Sequence, residues 1–570
     1  MKNKILFLFL IQFFHIYTRI IETTDLNWAL SEASPGDIIE LKSSEYSSVP
    51  YKITKSGTNG NPITIKSSEG ANIIFKGTNE NCIFDFSEIS YISIEGQFEL
   101  KDALCGIKAM DVSNIKISGL KIYNIIQQGI VISGENNEIS NNEIFDCVLE
   151  NKEISKKLTY GWKQCIAIWG KKFNSYYSKN IIFNNNYIHD TWGEGLYFQK
   201  CDGCSSIGNN ITNGFSMNIY LESSKNILID SNILRVNSDE HNSHIGKACG
   251  IGLSSERGNE NKIENIFIQN NIIVGTRIAI YFFQIGFSAY TKIKILHNTL
   301  WLIGVTSLWF EKPNNSPIDC ELRNNLIYID NWIAEFYPKS AWTIENNYYY
   351  NISKVPLEYC DTNKESKATK NIDLNYIFNN RRNNCNYYDE NIDINCFRPS
   401  LIPSNDFQLF HNGSKPTTIV VNKDFSGCQR NEINPSIGAF EYSIGCSGEP
   451  FDFDFKVKFK INYYTSGTDV VKIIGNFCSW YIGDAPTFTQ EENGNWVYTF
   501  NNIYDYFEYK FLIANGDIGI RWEEGSNRKF NLEDLTLAVK LSQSGYYENC
   551  DYIKDGNLVT LTCRWNVKSA

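Results

Sequence analysis

Reactive side chains gather where short apolar segments of the chain begin and end. Asp190, Glu194 and Glu222 are carboxylic acids at such positions. Hydrolysis of a glycosidic bond needs two carboxyl groups on either side of the bond, one acting as acid and the other as base or nucleophile. An acid and a base drawn from these three residues could therefore perform that reaction.

The residues of the same region could instead catalyse a different reaction, a β-elimination. A β-elimination needs a base, for which His189, Tyr197 and Lys200 are candidates, and a cation that neutralises a uronate. Each residue also has an ordinary interpretation. His189 and Asp190 could be hydrogen-bonding turn residues, Glu194 a surface charge and Lys200 a solvated side chain.

The segments that must position these residues repeat along the chain from about residue 60 to 350. Each unit has a short apolar run, a turn containing Asn and a second apolar run, as in Asn180-Ile-Ile-Phe-Asn-Asn-Asn-Tyr-Ile. Short β-branched strands without helical periodicity favour a β-solenoid over a sandwich. One strand aligns across six repeats: 165–169, 195–199, 218–222, 250–254, 279–283 and 307–311.

Alternation along the aligned strand assigns one face to the core and the other to the outside. The core face comprises Ile166/Ile168, Leu196/Phe198, Ile219/Leu221, Ile251/Leu253, Ile280/Phe282 and Leu308/Phe310. The outward face stacks aromatic side chains about 4.8 Å apart. These are Trp169, Tyr197, Tyr220, Tyr281 and Trp309. Such a ladder either binds sugar rings in a groove or packs under a loop, and both interpretations are open.

The region from about residue 24 to 442 resembles the right-handed parallel β-helix, or pectin-lyase-like, family. The resemblance rests on Trp28-Ala-Leu-Ser-Glu-Ala-Ser-Pro-Gly-Asp at the start, and on Asp424-Phe-Ser-Gly, Arg430 and Ile437-Gly-Ala-Phe-Glu-Tyr442 at the end. It implies the fold but leaves the reaction open, because this fold carries lyases, hydrolases, esterases, epimerases and adhesins.

Within that fold the candidate residues are most similar to family 6 polysaccharide lyases, which have a Glu before a Lys in one coil and an Arg in the next. Glu194 and Lys200 match the first two. The Arg expected near Tyr220 to Glu222 is missing, which argues against uronate cleavage. The paired aspartates of polygalacturonase-like hydrolases are not found either.

The run Asp239-Glu240-His241-Asn242-Ser243-His244 places two histidines beside carboxylates. It is either a metal site or a solvated acidic insertion, and the second interpretation is preferred. We therefore expect no metal site and no cofactor, with calcium as a possibility for a β-helix groove.

A second β-domain begins after the boundary expected near residue 445, with the alternating run from Phe451 to Ile461. Residues 446–570 resemble family 20 starch-binding modules in Ile474-Gly-Asn476, Glu508-Tyr-Lys-Phe511, Trp522-Glu523 and Asn527-Arg528. The resemblance implies an immunoglobulin-like β-sandwich that binds starch-like α-glucan without catalysis.

The same resemblance implies the binding residues and a disulfide. One glucan site would use Trp480, Trp522, Lys510 and Asn527, with Glu523 on the same surface, and a second site would include Trp496. Exposed indoles bury the apolar faces of sugars, while amine and amide groups bond their hydroxyls. The family's bridging cysteines match Cys446 and Cys550, which leaves Cys478 and Cys563 as a further pair.

Composition and the N-terminus favour a secreted protein. Lys2 and Lys4 precede the apolar run 5–14, which has the length of a secretory signal, although no cleavage site is obvious and an uncleaved anchor is the alternative. Sixteen cysteines and sequons at Asn210, Asn314, Asn351 and Asn412 agree with an oxidising compartment and glycosylation. A net charge of −11 disfavours nucleic acid and anionic membranes as partners.

Together these features predict a signal peptide over 1–20, a right-handed parallel β-helix over 24–445 and a starch-binding module over 446–570. The expected protein is an extracellular monomer that binds an α-glucan and whose β-helix cleaves or modifies a polysaccharide, as a lyase or a glycoside hydrolase. The alternative is a non-catalytic glucan-binding or matrix protein.

Overall fold

The structure is a computed structural model that describes the greater part of the solenoid and of the C-terminal module. The described residues are 18–42, 44–152, 163–236, 249–256, 262–285, 288–303, 306–329, 332–336, 339–351, 421–430, 438–440, 456–462, 468–475, 481–500, 506–515, 518–524, 526–531, 544–547, 550–555 and 558–564. Residues 1–17, the run 239–244 and the expected boundary near residue 445 lie outside these ranges, so the predictions made for them remain predictions.

The solenoid consists of short strands with very little helix. Its first elements are β1 (Ile20–Thr23), α1 (Leu26–Glu32), β2 (Ile38–Leu41), β3 (Glu45–Tyr46), β4 (Ile63–Ser67), β5 (Ile73–Lys76), β6 (Cys82–Ser87), β7 (Ser90–Glu95), β8 (Phe98–Ala103), β9 (Cys105–Ser118), β10 (Lys121–Ile125), β11 (Ile130–Glu135), β12 (Glu138–Ser140), β13 (Glu143–Phe145) and the 3-10 turn Leu149–Asn151. Next come β14 (Gln164–Ile168), α2 (Lys171–Asn174), β15 (Ser178–Lys179), β16 (Ile182–Asn184), β17 (Tyr187–Thr191), β18 (Glu194–Gln199), β19 (Cys201–Asp202), β20 (Ser205–Ile207), β21 (Asn210–Gly214), β22 (Met217–Glu222), β23 (Lys225–Asp230) and β24 (Ile233–Arg235). The last are β25 (Cys249–Ser254), β26 (Ile263–Gln269), β27 (Ile272–Val274), β28 (Ile278–Phe282), β29 (Tyr290–Leu296), β30 (Thr299–Ile303), β31 (Thr306–Phe310), β32 (Cys320–Arg323), β33 (Leu326–Ile329), β34 (Trp332–Phe336), the 3-10 turn Lys339–Ala341, β35 (Trp342–Glu345) and β36 (Tyr348–Asn351).

These strands pair in parallel with the strand one coil away, which gives a 24-stranded and a 12-stranded sheet. The larger sheet contains two walls, one running from β11 through β14, β18, β22, β25, β28 and β31, the other from β12 through β16, β20, β23, β26, β29 and β32. The 12-stranded sheet is the third wall. Isoleucine, leucine and phenylalanine side chains from all three walls form one continuous core.

The N-terminal end of the solenoid is closed by α1, as the opening segment predicts. Its N-cap is Asp25, whose carboxylate accepts a hydrogen bond from the Trp28 backbone N–H at 3.1 Å. Leu26, Ala29 and Leu30 are buried on the inner face of the helix. The helix therefore covers the core of the first coil.

Where the second wall turns into the third, buried asparagines stack in adjacent coils. In each step the backbone N–H and the side-chain Nδ2 of one asparagine both donate to Oδ1 of the next, at 2.8–3.1 Å. This asparagine ladder comprises Asn142, Asn186, Asn209, Asn232, Asn271, Asn298, Asn325 and Asn347, each at most 3% exposed. The repeated Asn turns of the sequence are thus hydrogen-bonded rungs that set the coil spacing.

Two described segments that follow β36 in the chain, 421–430 and 438–440, lie against the solenoid. The Asn270 side chain donates to the Lys423 carbonyl oxygen at 2.9 Å and accepts from Arg430 Nη2 at 2.8 Å. The backbone N–H of Ala439 donates to Thr299 Oγ1 at 3.0 Å. Arg430, singled out in the sequence, is therefore a buried contact of the solenoid's end.

The C-terminal module is a two-sheet β-sandwich. Its elements are β37 (Lys456–Asn462), β38 (Val470–Gly475), the 3-10 turn Ile482–Asp484, β39 (Thr489–Gln490), β40 (Asn495–Phe500), β41 (Tyr506–Asn515), β42 (Ile518–Trp522), β43 (Arg528–Asn531), β44 (Ser544–Tyr547), β45 (Cys550–Asp555) and β46 (Leu558–Cys563). One sheet has the order β39-β40-β37-β46-β45-β44, and in the other β41 pairs with β38, β42 and β43. A single apolar cluster lies between them. The prediction of a right-handed parallel β-helix followed by a small sandwich is confirmed.

The predicted disulfide between Cys446 and Cys550 is wrong. Cys550 is bonded to Cys563, and the two residues face each other in the antiparallel pair β45–β46. The pairing of Cys478 with Cys563 is excluded by the same bond. Cys82 and Cys105, register partners in adjacent coils, form another disulfide.

We predict that Asn232→Ala lowers the stability of the solenoid by about 2–4 kcal/mol, because it leaves buried polar groups of both neighbouring coils without their partners. Asn232 Oδ1 accepts from the Asn209 backbone and Ser206 Oγ, and its Nδ2 donates to Asn271 Oδ1 and the Ser206 carbonyl oxygen. Chemical unfolding followed by circular dichroism measures the loss. Asn79→Ala, at an exposed turn residue, is the control, and equal midpoints for both variants would contradict the role of the ladder.

Candidate functional site

The aligned strand of the sequence lies in the first wall in the predicted register. Ile166, Leu196, Ile219, Ile251 and Ile280 are successive partners facing the core. Tyr197, Tyr220, Gly252, Tyr281 and Trp309 are successive partners on the outward face. The alternation of side chains along each strand therefore predicted both faces correctly.

The outward ladder is covered rather than open. Tyr197 and Tyr220 are each 4% exposed and Tyr281 is 7% exposed, while Trp169 and Trp309 are partly buried against the same cluster. The Met217 side chain lies over Gly252, and Phe283 contacts both Tyr220 and Tyr281, so that Tyr197, Tyr220, Phe283, Tyr281 and Trp309 form a continuous series with ring centroids 5.0–5.6 Å apart. The ladder was interpreted either as a sugar-binding groove or as a packed surface. For these tyrosines the structure agrees with the packed surface.

Each ladder tyrosine donates its hydroxyl to a glutamate that lies further along the solenoid. Tyr197 donates to Glu222, which also accepts from Gln199 Nε2 at 2.9 Å. Tyr220 donates to Glu256 at 2.7 Å and Tyr281 donates to Glu311 at 2.5 Å. Glu311 lies at an outward position of the aligned strand 307–311, as its alternation predicts. Glu256 was missed in the sequence because it lies two residues beyond the aligned strand 250–254.

Glu194 is a buried carboxyl group at the start of β18. It is 3% exposed, and its Oε2 has no hydrogen-bond partner. The pKa of Glu194 is raised to about 8, mainly by burial, with a smaller contribution from the nearby Glu256 and Glu222 charges, while a hydrogen bond with Gln164 opposes the shift. Gln164 is the register partner of Glu194 in the preceding coil. Glu194 is therefore an acid that holds its proton at neutral pH.

The structure brings Glu194 and Glu222 to one face and places His189 and Asp190 elsewhere. Both of the latter are in β17, in the 12-stranded sheet. His189 stacks on Phe145 with centroids 4.7 Å apart, and its Nδ1 lies 2.9 Å from Asp190 Oδ2. Asp190 also accepts from Asn213 Nδ2 at 2.7 Å. The structure therefore agrees with the ordinary interpretation of His189 and Asp190 as hydrogen-bonding residues.

Lys200 occupies a left-handed turn position immediately after β18, with φ 49°. Its backbone N–H donates to the Glu222 carbonyl oxygen, which makes Ser223 the corresponding turn residue of the next coil. Ser223 also has a positive φ and is buried. Ser223 thus occupies the turn next to Lys200, and the arginine expected near Tyr220 to Glu222 is missing, as the sequence showed.

Among the residues that the structure describes, no group of three or more His, Cys, Asp and Glu side chains is placed to hold a metal ion. Within the same residues, no helix is long and apolar enough to cross a membrane. Calcium binding remains a possibility raised by the sequence alone.

In the C-terminal module, Trp522, Lys510 and Asn527 belong to one sheet and the turn between β42 and β43. Trp522 is 41% exposed, and its strand pairs with β41, which carries Lys510. Lys510 Nζ donates to the Glu523 carbonyl oxygen at 3.4 Å, and Asn527 Nδ2 donates to Glu508 Oε2 at 3.1 Å. Their assignment to one glucan site stays a prediction, and Trp480 lies outside the described residues.

Two residues assigned to glucan binding lie in the interior instead. Glu523 is 2% exposed and is paired with the buried Arg528, whose Nε donates to it at 3.0 and 3.1 Å. Trp496 is 5% exposed and packs in the sandwich core. The assignment of these two side chains to the sugar-binding surface is therefore corrected. Tyr481, 59% exposed and not singled out in the sequence, is an aromatic side chain on the surface.

Comparison with known families finds matches in both the solenoid and the C-terminal module. Residues 106–300 match the right handed beta helix region, residues 454–539 match the starch binding domain and residues 20–159 match chondroitinase B. The chain thus combines a right-handed β-helix with a starch-binding domain. No curated protein matches the chain.

Solved structures of similar fold include polysaccharide lyases. Pectate lyase Pel9A is 15% identical, with 75% of this chain and 98% of that chain covered and a TM-score of 0.41. The family 6 alginate lyase AlyGC is 15% identical, with a TM-score of 0.40, and covers 58% of this chain. The chain spans about half of AlyGC, 51% of its length. At these values the likeness carries no statement about activity.

The raised pKa of Glu194 predicts a pH-dependent stability. Below the unfolded pKa near 4.5 the carboxyl is protonated in both states; above it only the unfolded state loses the proton, so stability falls as pH rises to about 8. We expect Glu194→Gln to match the wild type near pH 4 and to exceed it near pH 8, by an amount of order 4 kcal/mol. Unfolding midpoints across pH measure the difference. The exposed Glu80→Gln is the control, and a constant difference between Glu194→Gln and wild type would contradict the shift.

Proposed function

We propose that this β-helix protein with a starch-binding domain is a secreted protein that binds a starch-like α-glucan at Trp522. The observation that carries the proposal is the exposed indole of Trp522 beside Lys510 and Asn527. The indole offers an apolar face to a sugar ring, and the ammonium and amide groups donate hydrogen bonds to its hydroxyls.

Several features support an extracellular setting. Disulfides join Cys82 to Cys105 and Cys550 to Cys563. Such bonds persist in oxidising compartments. The sequon residue Asn314 is exposed at the solenoid surface, where glycosylation takes place. The apolar N-terminal run supports the same proposal.

We predict that Trp522→Ala weakens binding of maltoheptaose about tenfold or more, because the main apolar contact is lost. Lys510→Ala and Asn527→Ala, which remove single hydrogen bonds, are expected to weaken it less. Titration calorimetry and retention on insoluble starch measure the effect. Ile553→Ala, at a side chain 60% exposed on the other sheet, is the control. Unchanged binding by Trp522→Ala would exclude this surface as the glucan site.

A second candidate function is cleavage of a polysaccharide on the solenoid, with Glu194 as general acid and Glu222 as its partner. The observation that favours it is the buried carboxyl group of Glu194, which has a raised pKa and an unpartnered Oε2 and lies near further carboxyl groups. Neighbouring carboxyl groups with separate acid and base roles are what glycosidic hydrolysis uses. Since Glu194 and Glu222 are both almost fully buried, catalysis requires that they become accessible to the substrate, and a non-catalytic solenoid is the alternative.

Product formation distinguishes a catalytic solenoid from a glucan-binding one. Purified protein is incubated with starch, pullulan, dextran, pectin and alginate, and new reducing ends and unsaturated products are measured. For a catalytic solenoid we expect activity to fall as pH rises through about 8, where Glu194 loses its proton, and Glu194→Gln and Glu222→Gln to lose activity at least a hundredfold. Glu80→Gln should keep it. Absence of product from every substrate would leave binding as the function.

A further inference from the structure

The orientation of the Trp522 indole depends on a residue three positions earlier in β42. The nearest atoms to a Cβ built on Gly519 would be Ile482 Cδ1 and Trp522 Nε1, both at 3.0 Å. That is tighter than ordinary van der Waals contact, so any side chain at residue 519 must displace one of these groups. The indole therefore lies directly over the bare backbone of Gly519.

A β-bulge explains how residues three apart come to the same face. In a regular strand Gly519 and Trp522 would point to opposite sides of the sheet. The pairing Ile513↔Arg521 is followed by Ala514↔Gly519, so β42 contains one extra residue at this point. The extra residue shifts the alternation by one. Because of the bulge, Trp522 and Gly519 face the same side of the sheet, and the indole reaches back to Gly519.

A side chain at residue 519 would contact both Ile482 and the Trp522 indole, and of these two groups the indole is the freer to move. Trp522 is 41% exposed, whereas Ile482 packs against the sandwich core. The Ile482 carbonyl oxygen also accepts a hydrogen bond from the buried Lys472 Nζ at 2.9 Å, which anchors that segment. A methyl group at residue 519 would therefore tilt the indole away from the strand.

We propose that Gly519 is a positioning residue for glucan binding, which lets the Trp522 indole lie flat on β42 and present one face to a sugar ring. Glycine is required here because it leaves space for the indole. Its backbone conformation is not the reason, since Gly519 is not among the residues with a positive φ. This inference rests on the proposed function, since it concerns the same binding surface.

The test uses the full-length protein with Gly519→Ala, Ile482→Ala, the double variant and Trp522→Ala. Maltoheptaose affinity, unfolding midpoint and the near-ultraviolet circular dichroism of Trp522 are measured, the last by difference from Trp522→Phe. We expect Gly519→Ala to keep its fold, to alter the Trp522 spectrum and to weaken binding about tenfold. In the double variant the contact with Ile482 is relieved, so stability should recover while binding stays weak.

Two results would overturn the positioning role: an unchanged spectrum and affinity in Gly519→Ala, or affinity that recovers together with stability in the double variant. The second would mean that Gly519 acts through packing against Ile482. If Trp522→Ala leaves maltoheptaose binding intact while Gly519→Ala still alters the Trp522 spectrum, the glucan-binding proposal fails but the placement of the indole stands.

Discussion

The asparagine ladder is the interaction on which the solenoid depends. Each asparagine of the ladder provides hydrogen-bond partners for polar groups that the turn would otherwise bury without them. Its backbone N–H and its Nδ2 both donate to Oδ1 of the asparagine in the next coil. The coils are thereby held in register at one turn, even where successive coils differ in length. From Asn209 to Asn232 the chain advances 23 residues and from Asn232 to Asn271 it advances 39, yet the rungs are equivalent.

A fixed register has consequences on the outer face. Because strands in adjacent coils pair residue by residue, a residue type repeated at one strand position becomes a column, and the tyrosines of the first wall become a continuous stack. Glu194 and Glu222 are buried on this face, outside the main core. Desolvation then gives Glu194 its raised pKa. A residue whose ordinary interpretation is a surface charge is therefore a buried carboxyl group.

The sandwich shows the opposite arrangement. Its buried Glu523–Arg528 pair is internal, while Trp522 stays exposed at the end of β42. The ion pair ties the end of β42 to the start of β43, because separating the two charges would leave each of them desolvated. The bulge in β42 brings Trp522 and Gly519 to the same side of the sheet.

The sequence by itself determined the solenoid, its core face and the register of the first wall, because these follow from local alternation and from recurring residue types, while the assignment of Trp522, Lys510 and Asn527 to a glucan site came from the family resemblance and stays a prediction. Only the tertiary structure decided that the tyrosine ladder is buried, that Glu523 pairs with Arg528 and that Cys550 bonds to Cys563. A period of two shows which side chains share a face, but not whether that face is exposed, which depends on contacts that the strand sequence does not contain. The same holds for the pKa of Glu194, since desolvation depends on every atom around the carboxyl group.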